Sequence, residues 1–172
     1  MDWIDDITRG WASEYPDLDL SSLPPLVRVA RLGVLIEAFQ HDVLEPFGLS
    51  PSDYGVLAML RRSGPPYALN PSQLYSLLRR SSGGMTKILK RLEQAELVER
   101  TPDPEDGRGS RVSLTARGLS LQDRAFHAFV TASGTLLSPL PEHKRRTTEA
   151  ALGDLLDVFE ARASDRRDAN RF

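Results

Sequence analysis

The chain has 172 residues, of which 40% are hydrophobic and 27% are charged, and its formal net charge is −2. This composition is typical of a soluble globular protein. No apolar run approaches the roughly 20 residues that span a bilayer, and the lack of cysteine excludes disulfides and thiolate metal sites. The charge is uneven, because residues 61–117 hold 11 Lys/Arg against 6 Asp/Glu, a net +5, and the other residues hold 11 against 18, a net −7.

The N-terminal residues 1–46 are predicted to form a helical extension and a dimerisation helix. Residues 1–22 are acidic and lack the basic and then apolar pattern of a secretory signal, so we expect a cytoplasmic protein with no membrane partner. Pro16 ends any first short helix. A long helix then starts near Ser21, and its apolar residues recur every three or four positions up to Leu44. This helix carries more apolar surface than one small domain needs, which favours a dimer interface.

The central residues 50–114 are predicted to form a winged helix-turn-helix. Ser50 and Pro51 open one helix, Asn70 opens a second short helix, and a cap at Ser81 or Ser82 opens a third. Two short helices joined by a tight turn are a helix-turn-helix. Two strand candidates follow, residues 97–100 and 111–114, and the loop between them is rich in proline, glycine and charge.

The third of these helices is predicted to have one buried and one basic face. At 100° per residue its apolar stripe contains Met85, Ile88, Leu89 and Leu92. The opposite face contains Gly83, Lys87, Lys90, Arg91 and Gln94, with Thr86 at its edge. Such side chains suit the major groove, since lysine and arginine bind guanine or phosphate, glutamine binds adenine and threonine binds either. A basic face that is merely solvated is the alternative.

The charged loop between the two strands is predicted to be a DNA-binding wing. Arg108 at its tip suits a narrow minor groove, Arg111 is a second candidate contact, and Asp106 can pair with either arginine and hold the loop. An ordinary charged hairpin is the alternative, but it does not explain why the hairpin directly follows a basic helix. The predicted DNA-binding residues are Ser81, Ser82, Gly83, Thr86, Lys87, Lys90, Arg91, Arg108 and Arg111, with Asp106 as wing support.

The C-terminal residues 115–165 are predicted to be two further dimerisation helices, followed by a tail over 166–172. Thr115 caps the first, residues 138–141 break the chain, and the charged sequence from Arg162 onward favours an unpacked end. The predicted fold is therefore mainly α with a small β-wing, a winged helix-turn-helix lobe plus N- and C-terminal dimerisation helices in one domain, 1–172.

The central sequence resembles the signature of the MarR family of winged helix-turn-helix regulators. The matching motifs are Gly83-Gly84-Met85-Thr86-Lys87, Arg91-Leu92-Glu93, Leu97-Val98-Glu99-Arg100, Asp103-Pro104-Glu105-Asp106-Gly107-Arg108, Val112-Ser113-Leu114-Thr115 and Gly118. One departure is Glu96, where the family usually has glycine. The resemblance implies a homodimeric transcriptional regulator, expected to be a repressor, that binds a palindromic operator in double-stranded DNA with one recognition helix per half-site and a wing arginine in each flanking minor groove.

The resemblance also implies a small aromatic or anionic effector, bound between the dimerisation helices and the DNA-binding lobe. The candidate ligand-binding residues are Trp11, Phe39, His41, Tyr54 and His127, although aromatic residues at helical spacing are also typical of a core. The N-terminal extension with Trp11 resembles the urate-responsive branch of the family. That branch has a tryptophan-aspartate pair where this chain has Tyr54-Gly55, so the branch's carboxylate is missing here.

Other function classes find little support in the sequence. There is no H-E-x-x-H, Walker or G-x-S-x-G motif and no histidine cluster, and residues 103–107 lack the spacing and closing glutamate of a calcium loop. We therefore expect no enzyme, cofactor or metal. The alternative left open is a winged helix that serves only as a protein-interaction or dimerisation module, and salt-dependent DNA binding distinguishes the two.

Overall fold

The computed structural model describes residues 3–78, 82–102 and 109–169, with the side chains of 76, 77, 82 and 165–169 left aside. In chain order the helices are α1 (Trp3–Glu14), α2 (Leu23–Leu44), α3 (Pro51–Arg62), α4 (Pro71–Leu78), α5 (Ser82–Gln94), α6 (Ala116–Leu137) and α7 (Glu142–Ala169), with a short 3-10 turn at Glu45–Phe47. The strands are β1 (Ala68–Leu69), β2 (Val98–Pro102) and β3 (Ser110–Leu114). The predicted fold class, mainly α with a small β-wing, is confirmed.

The described residues divide into two compact units, one up to Phe129 and the other from Val130 onward. In the first unit α1 packs on α2, and Arg28 on α2 forms an ion pair with Asp5 on α1 at 2.7 Å. The helix α2 ends at Leu44, as its apolar spacing predicts. No helix of the described residues has the length and apolarity to cross a bilayer.

The core of the first unit lies under the helix-turn-helix. Its fully buried side chains come from α2, α3, α4, α5, β3 and α6, and they include Leu44, Leu57, Leu74, Leu89, Val112 and Ala125, each at 0% exposure. The helix α3 starts with a complete capping box, in which Ser50 accepts from the Asp53 backbone N–H and the Asp53 side chain accepts from the Ser50 N–H. The predicted cap at Ser50 is therefore confirmed, and it fixes where α3 begins.

The sheet has three antiparallel strands in the order β1-β3-β2. The sequence predicted β2 and β3 but missed β1, whose two residues are too few for an alternating pattern. Tyr67, at φ 59°, leads into β1, and its carbonyl accepts a hydrogen bond from the Leu114 N–H at 3.2 Å. Pairing with β3, a contact distant in sequence, therefore makes these residues a strand.

The second unit contains the end of α6 and the whole of α7. The helix α7 continues to Ala169, past Arg162, where the sequence predicted the start of a charged tail, and the predicted boundary at 165 stays a prediction. Alanine and arginine are among the strongest helix formers, so these charged residues extend the helix. Leu152, Leu156 and Phe159, which share one stripe of α7, are all exposed.

Candidate nucleic-acid interface

The two predicted faces of α5 are present in the structure. Met85 and Leu89 are completely buried, and Ile88 and Leu92 are almost so. Lys87 and Lys90 are exposed, and neither ammonium group has an ion-pair partner among the described residues. The buried stripe fixes the rotation of α5, so the two lysines face away from the core.

The other predicted contacts at the start of α5 are only partly described. Gly83 is exposed, and a Cβ added there meets nothing within 4 Å among the described residues. Thr86 is also exposed. Ser81 and the side chain of Ser82 lie outside the described residues. The described part of this surface is therefore open to a partner, as DNA contact requires.

Arg91 has a different environment from the one that the helical wheel predicts. Its Nε lies 3.0 Å from Asp53 Oδ1, and its Nη2 lies 2.6 Å from the same oxygen and 3.4 Å from Ser50 Oγ. The guanidinium is therefore bound to the start of α3, a contact that the sequence did not predict, and the predicted DNA contact of Arg91 stays a prediction. Sequence reasoning missed this pair because its two residues are 38 positions apart, beyond any local periodicity.

The turn after α5 sets the direction of the wing. Glu96 adopts φ 56°, and its carbonyl accepts from Thr115 Oγ1 at 2.7 Å. The same hydroxyl oxygen accepts from the Gly118 N–H at 2.9 Å and so caps α6. The start of the wing is therefore tied to the first turn of α6 through one threonine.

The base of the wing is a regular ladder in which Arg100 pairs with Val112 and Thr101 pairs with Arg111. Arg100 also forms an ion pair with Glu93 of α5, which links the wing to the end of that helix. Arg111 is half-buried in β3. The predicted wing residues Asp106 and Arg108 lie outside the described residues, so their roles stay predictions.

Two of the five candidate effector residues come together in the structure. The rings of Phe39 and Tyr54 have centroids 5.7 Å and 5.5 Å from that of Phe129. His41 lines a separate pocket with Asp42 and Glu45, whereas Trp11 packs its ring against Tyr15. The His127 Nδ1 lies 2.7 Å from the Asp123 carbonyl oxygen within α6. The structure therefore groups Phe39 and Tyr54 around Phe129, while the His127 ring contacts Phe126 at a centroid distance of 6.4 Å.

A pocket of about 380 Å³ adjoins Tyr54 between α3 and α6. Its lining residues are Tyr54, Ala58, Arg61, Arg62, Gln122, Asp123 and Phe126. Burial raises the pKa of Tyr54, while a side-chain hydrogen bond with Gln122 acts in the opposite direction. The other amide atom, Gln122 Oε1, is buried without a hydrogen-bond partner among the described residues. Sequence reasoning missed Gln122, because a polar residue on an amphipathic helix gives no sign of its burial.

No group of three or more His, Asp or Glu residues within 3–78, 82–102 and 109–169 is arranged to hold a metal ion. Several described charged groups of the first unit instead form ion pairs. One example is Arg61, whose Nε donates to Asp123 Oδ1 at 2.8 Å while its guanidinium lies over the Tyr67 ring, 5.0 Å from the centroid.

Comparison with known proteins places this geometry in one family. The model of the MarR family matches residues 47–109. The chain is 34% identical to the HTH-type transcriptional regulator PecS of Dickeya dadantii over 150 residues, which cover 87% of this chain and 90% of that protein. It is 28% identical to the HTH-type transcriptional repressor Rv2887 of Mycobacterium tuberculosis, covering 73% of this chain and 88% of that protein.

Solved structures of MarR-family proteins match the fold of this chain. A mutant MarR from E. coli complexed with operator DNA matches with a TM-score of 0.68 and 25% identity, covering 81% of this chain and 99% of that chain. The S. aureus MepR-DNA complex matches in fold with a TM-score of 0.68 at 22% identity, covering 83% of this chain and 99% of that chain. The chain therefore belongs to the MarR family of DNA-binding transcriptional regulators and is not an enzyme.

Proposed function

We propose that the protein is a transcriptional repressor that binds a palindromic operator as a homodimer and is released by a small-molecule effector. The observation that carries the DNA-reading part is the exposed pair Lys87 and Lys90 on a helix whose other side is completely buried at Met85 and Leu89. Such a helix presents its basic side as a rigid surface, which suits insertion into a major groove.

The proposed DNA contacts are those of α5 and the wing. The set comprises Ser81, Ser82, Gly83, Thr86, Lys87, Lys90, Arg108 and Arg111, with Asp106 as brace. The residues at the start of α5 approach the phosphate backbone, the lysines contact phosphate or guanine, and Arg108 occupies the minor groove. The role of Arg91 is considered separately below.

The test is a gel shift with the DNA upstream of the protein's own gene, repeated at several salt concentrations. We expect the operator affinity to fall steeply with salt, and the double variant Lys87→Ala/Lys90→Ala to reduce the slope of log K against log[salt] by about 3.6, or 0.9 for each of the four phosphate contacts that the homodimer loses. Lys144→Ala, an exposed lysine on α7, is the matched control and should leave the slope unchanged. A wild-type protein that shifts no DNA at low salt would favour the interaction-module alternative.

The wing is tested with Arg108→Ala on operators whose flanks differ in A·T content. We expect the loss of affinity to be larger for A·T-rich flanks, because their narrow minor grooves concentrate negative potential. An equal loss on every flank would instead indicate a simple phosphate contact.

Repression is supported by the similarity to the Rv2887 repressor. A reporter gene placed behind the bound promoter region should be expressed more strongly when Lys87→Ala/Lys90→Ala replaces the wild type. Lower expression would identify an activator instead.

The effector site is proposed at the pocket beside Tyr54, where Phe39 and Phe129 extend the aromatic surface. Arg62 at the pocket favours an anionic group on an aromatic ligand, whereas Arg61 is already paired with Asp123. Calorimetry with benzoate and 4-hydroxybenzoate tests this site. Phe126→Ala, which truncates an exposed side chain of the lining, should weaken binding, whereas His41→Ala in the other pocket should not. Equal effects of the two variants would contradict this location.

A further inference from the structure

The guanidinium of Arg91 joins the recognition helix α5 to the first turn of α3. Two of its nitrogens contact one carboxylate, with Nε 3.0 Å and Nη2 2.6 Å from Asp53 Oδ1. Paired N–H donors in a planar fork fix orientation as well as distance, which a single point charge does not do. This contact therefore constrains the rotation and position of α5 relative to α3.

Asp53 is a firm anchor for this contact. Its side chain is only 5% exposed, and Oδ2 accepts from the Ser50 N–H at 3.1 Å and from the Ser50 hydroxyl at 2.6 Å. The carboxylate is thus held by the capping box that starts α3, and a buried carboxylate needs a paired charge and hydrogen bonds to be tolerated. The anchor and the arginine depend on each other.

The pairing also changes what Arg91 offers to DNA. Its charge lies directly against a carboxylate, whereas Lys87 and Lys90 on the same helix have no ion-pair partner among the described residues. A paired arginine releases fewer counterions on binding a phosphate than an unpaired lysine does. The side chain is nevertheless 54% exposed, so the exposure of Arg91 and the basic pattern of α5 do not reveal that its charge is paired.

We propose that Asp53 and Arg91 are positioning residues for DNA recognition, which hold α5 at the angle needed to read bases, and that Arg91 is not a phosphate contact. This inference rests on the proposed DNA binding. The pair therefore affects the affinity for the operator, whereas the affinity for non-specific DNA depends on Lys87 and Lys90.

The decisive variant is Asp53→Asn, because the two roles of Arg91 predict opposite results. Asparagine keeps the size and much of the capping ability of aspartate but releases Arg91 from its ion pair. We expect operator affinity to fall about tenfold, as for the loss of one charge-assisted hydrogen bond, with unchanged affinity for non-specific DNA and an unchanged salt slope. A rise in affinity with a salt slope steeper by about 1.8, or 0.9 for each subunit of the homodimer, would show a freed phosphate contact and overturn the inference.

A second variant, Arg91→Lys, keeps the charge and removes the fork. We expect it to lose operator affinity as Asp53→Asn does, and the double variant to lose no more than either single variant, because both remove the same contact. Wild-type operator binding by Arg91→Lys would overturn the inference. Thermal melts confirm that each variant is folded, and Lys87→Ala in the same assay should lower the salt slope. A wild-type protein without salt-dependent binding would count against the proposed function instead.

Discussion

Glu96 occupies a backbone conformation that favours glycine. Its φ of 56° costs an L-residue with a side chain about 1–2 kcal/mol. Its carboxylate pairs with Arg117 at 3.2 Å, but both side chains are largely exposed, so this pair contributes at most about 1 kcal/mol. The hydrogen bond from Thr115 uses the backbone carbonyl and survives any substitution.

We therefore expect Glu96→Gly to stabilise the protein by about 1 kcal/mol, or a rise of about 2–4 °C in the melting temperature. Glu96→Ala is the matched control, because it removes the same carboxylate but keeps the side-chain strain. It should give no gain. Equal melting temperatures for the glycine and alanine variants would show that the left-handed backbone carries no cost here.

Gly118 is required by a close approach between α6 and Leu97, the residue that precedes β2. A Cβ at this position would lie 1.9 Å from the Leu97 carbonyl oxygen, which already accepts from the Thr115 N–H at 3.2 Å. Backbone atoms cannot move aside as a flexible side chain does, so we expect Gly118→Ala to destabilise by about 3 kcal/mol. Gly134→Ala, on the same helix with nothing within 4 Å among the described residues, should not destabilise. Thermal melts of the two variants give the comparison.

The single-residue features differ in how far the sequence predicts them. Glu96 is visible as a departure from the glycine that the resemblance leads one to expect, and its positive φ supplies the physical reason. Gln122 and the Asp53–Arg91 pair are not visible, because burial and pairing arise from contacts between helices distant in sequence. Local sequence patterns therefore predict the backbone conformation of a residue better than they predict which distant residue it contacts.

At the scale of an element, local sequence patterns predict the helices better than the short strand β1. Helical periodicity predicts the buried stripe and the basic face correctly, since both follow from 100° per residue, and caps with proline predict where α2, α3 and α4 begin. The strand β1 was missed because it forms only by pairing with β3, which is distant in sequence. The extension of α7 was missed because its residues are good helix formers but show no apolar periodicity.

The two faces of α5 give a direct contrast between stability and binding. Met85→Ala removes a completely buried side chain and should destabilise by about 2–5 kcal/mol. Lys87→Ala removes an exposed one and should change the free energy of unfolding by less than about 0.5 kcal/mol while weakening operator binding. Urea titrations beside gel shifts separate the two effects. If Lys87→Ala unfolds the protein as readily as Met85→Ala, the assignment of the faces fails.

At the scale of the whole molecule, the described chain leaves large apolar side chains exposed on helices near both ends. Trp3, Ile7 and Trp11 follow one stripe of α1, and Leu152 and Leu156 lie on one stripe of α7. Stripes of this kind in a soluble domain mark protein interfaces. They support the proposed homodimer, in which the two recognition helices bind two half-sites related by two-fold symmetry.

The dimer is tested on α7 with two variants that each introduce one lysine. Leu156→Lys places a lysine in the apolar stripe, and Asp154→Lys places one about 160° away around the helix. We expect sedimentation velocity at micromolar concentration to show Leu156→Lys shifted toward the monomer and Asp154→Lys unchanged. Because a monomer binds only one half-site, Leu156→Lys should also lose operator affinity by about 10²-fold, although its α5 is intact. An unchanged dimer that binds the operator normally would contradict the interface. Because Asp154→Lys changes the charge by two units and Leu156→Lys by one, added charge alone cannot produce the expected difference.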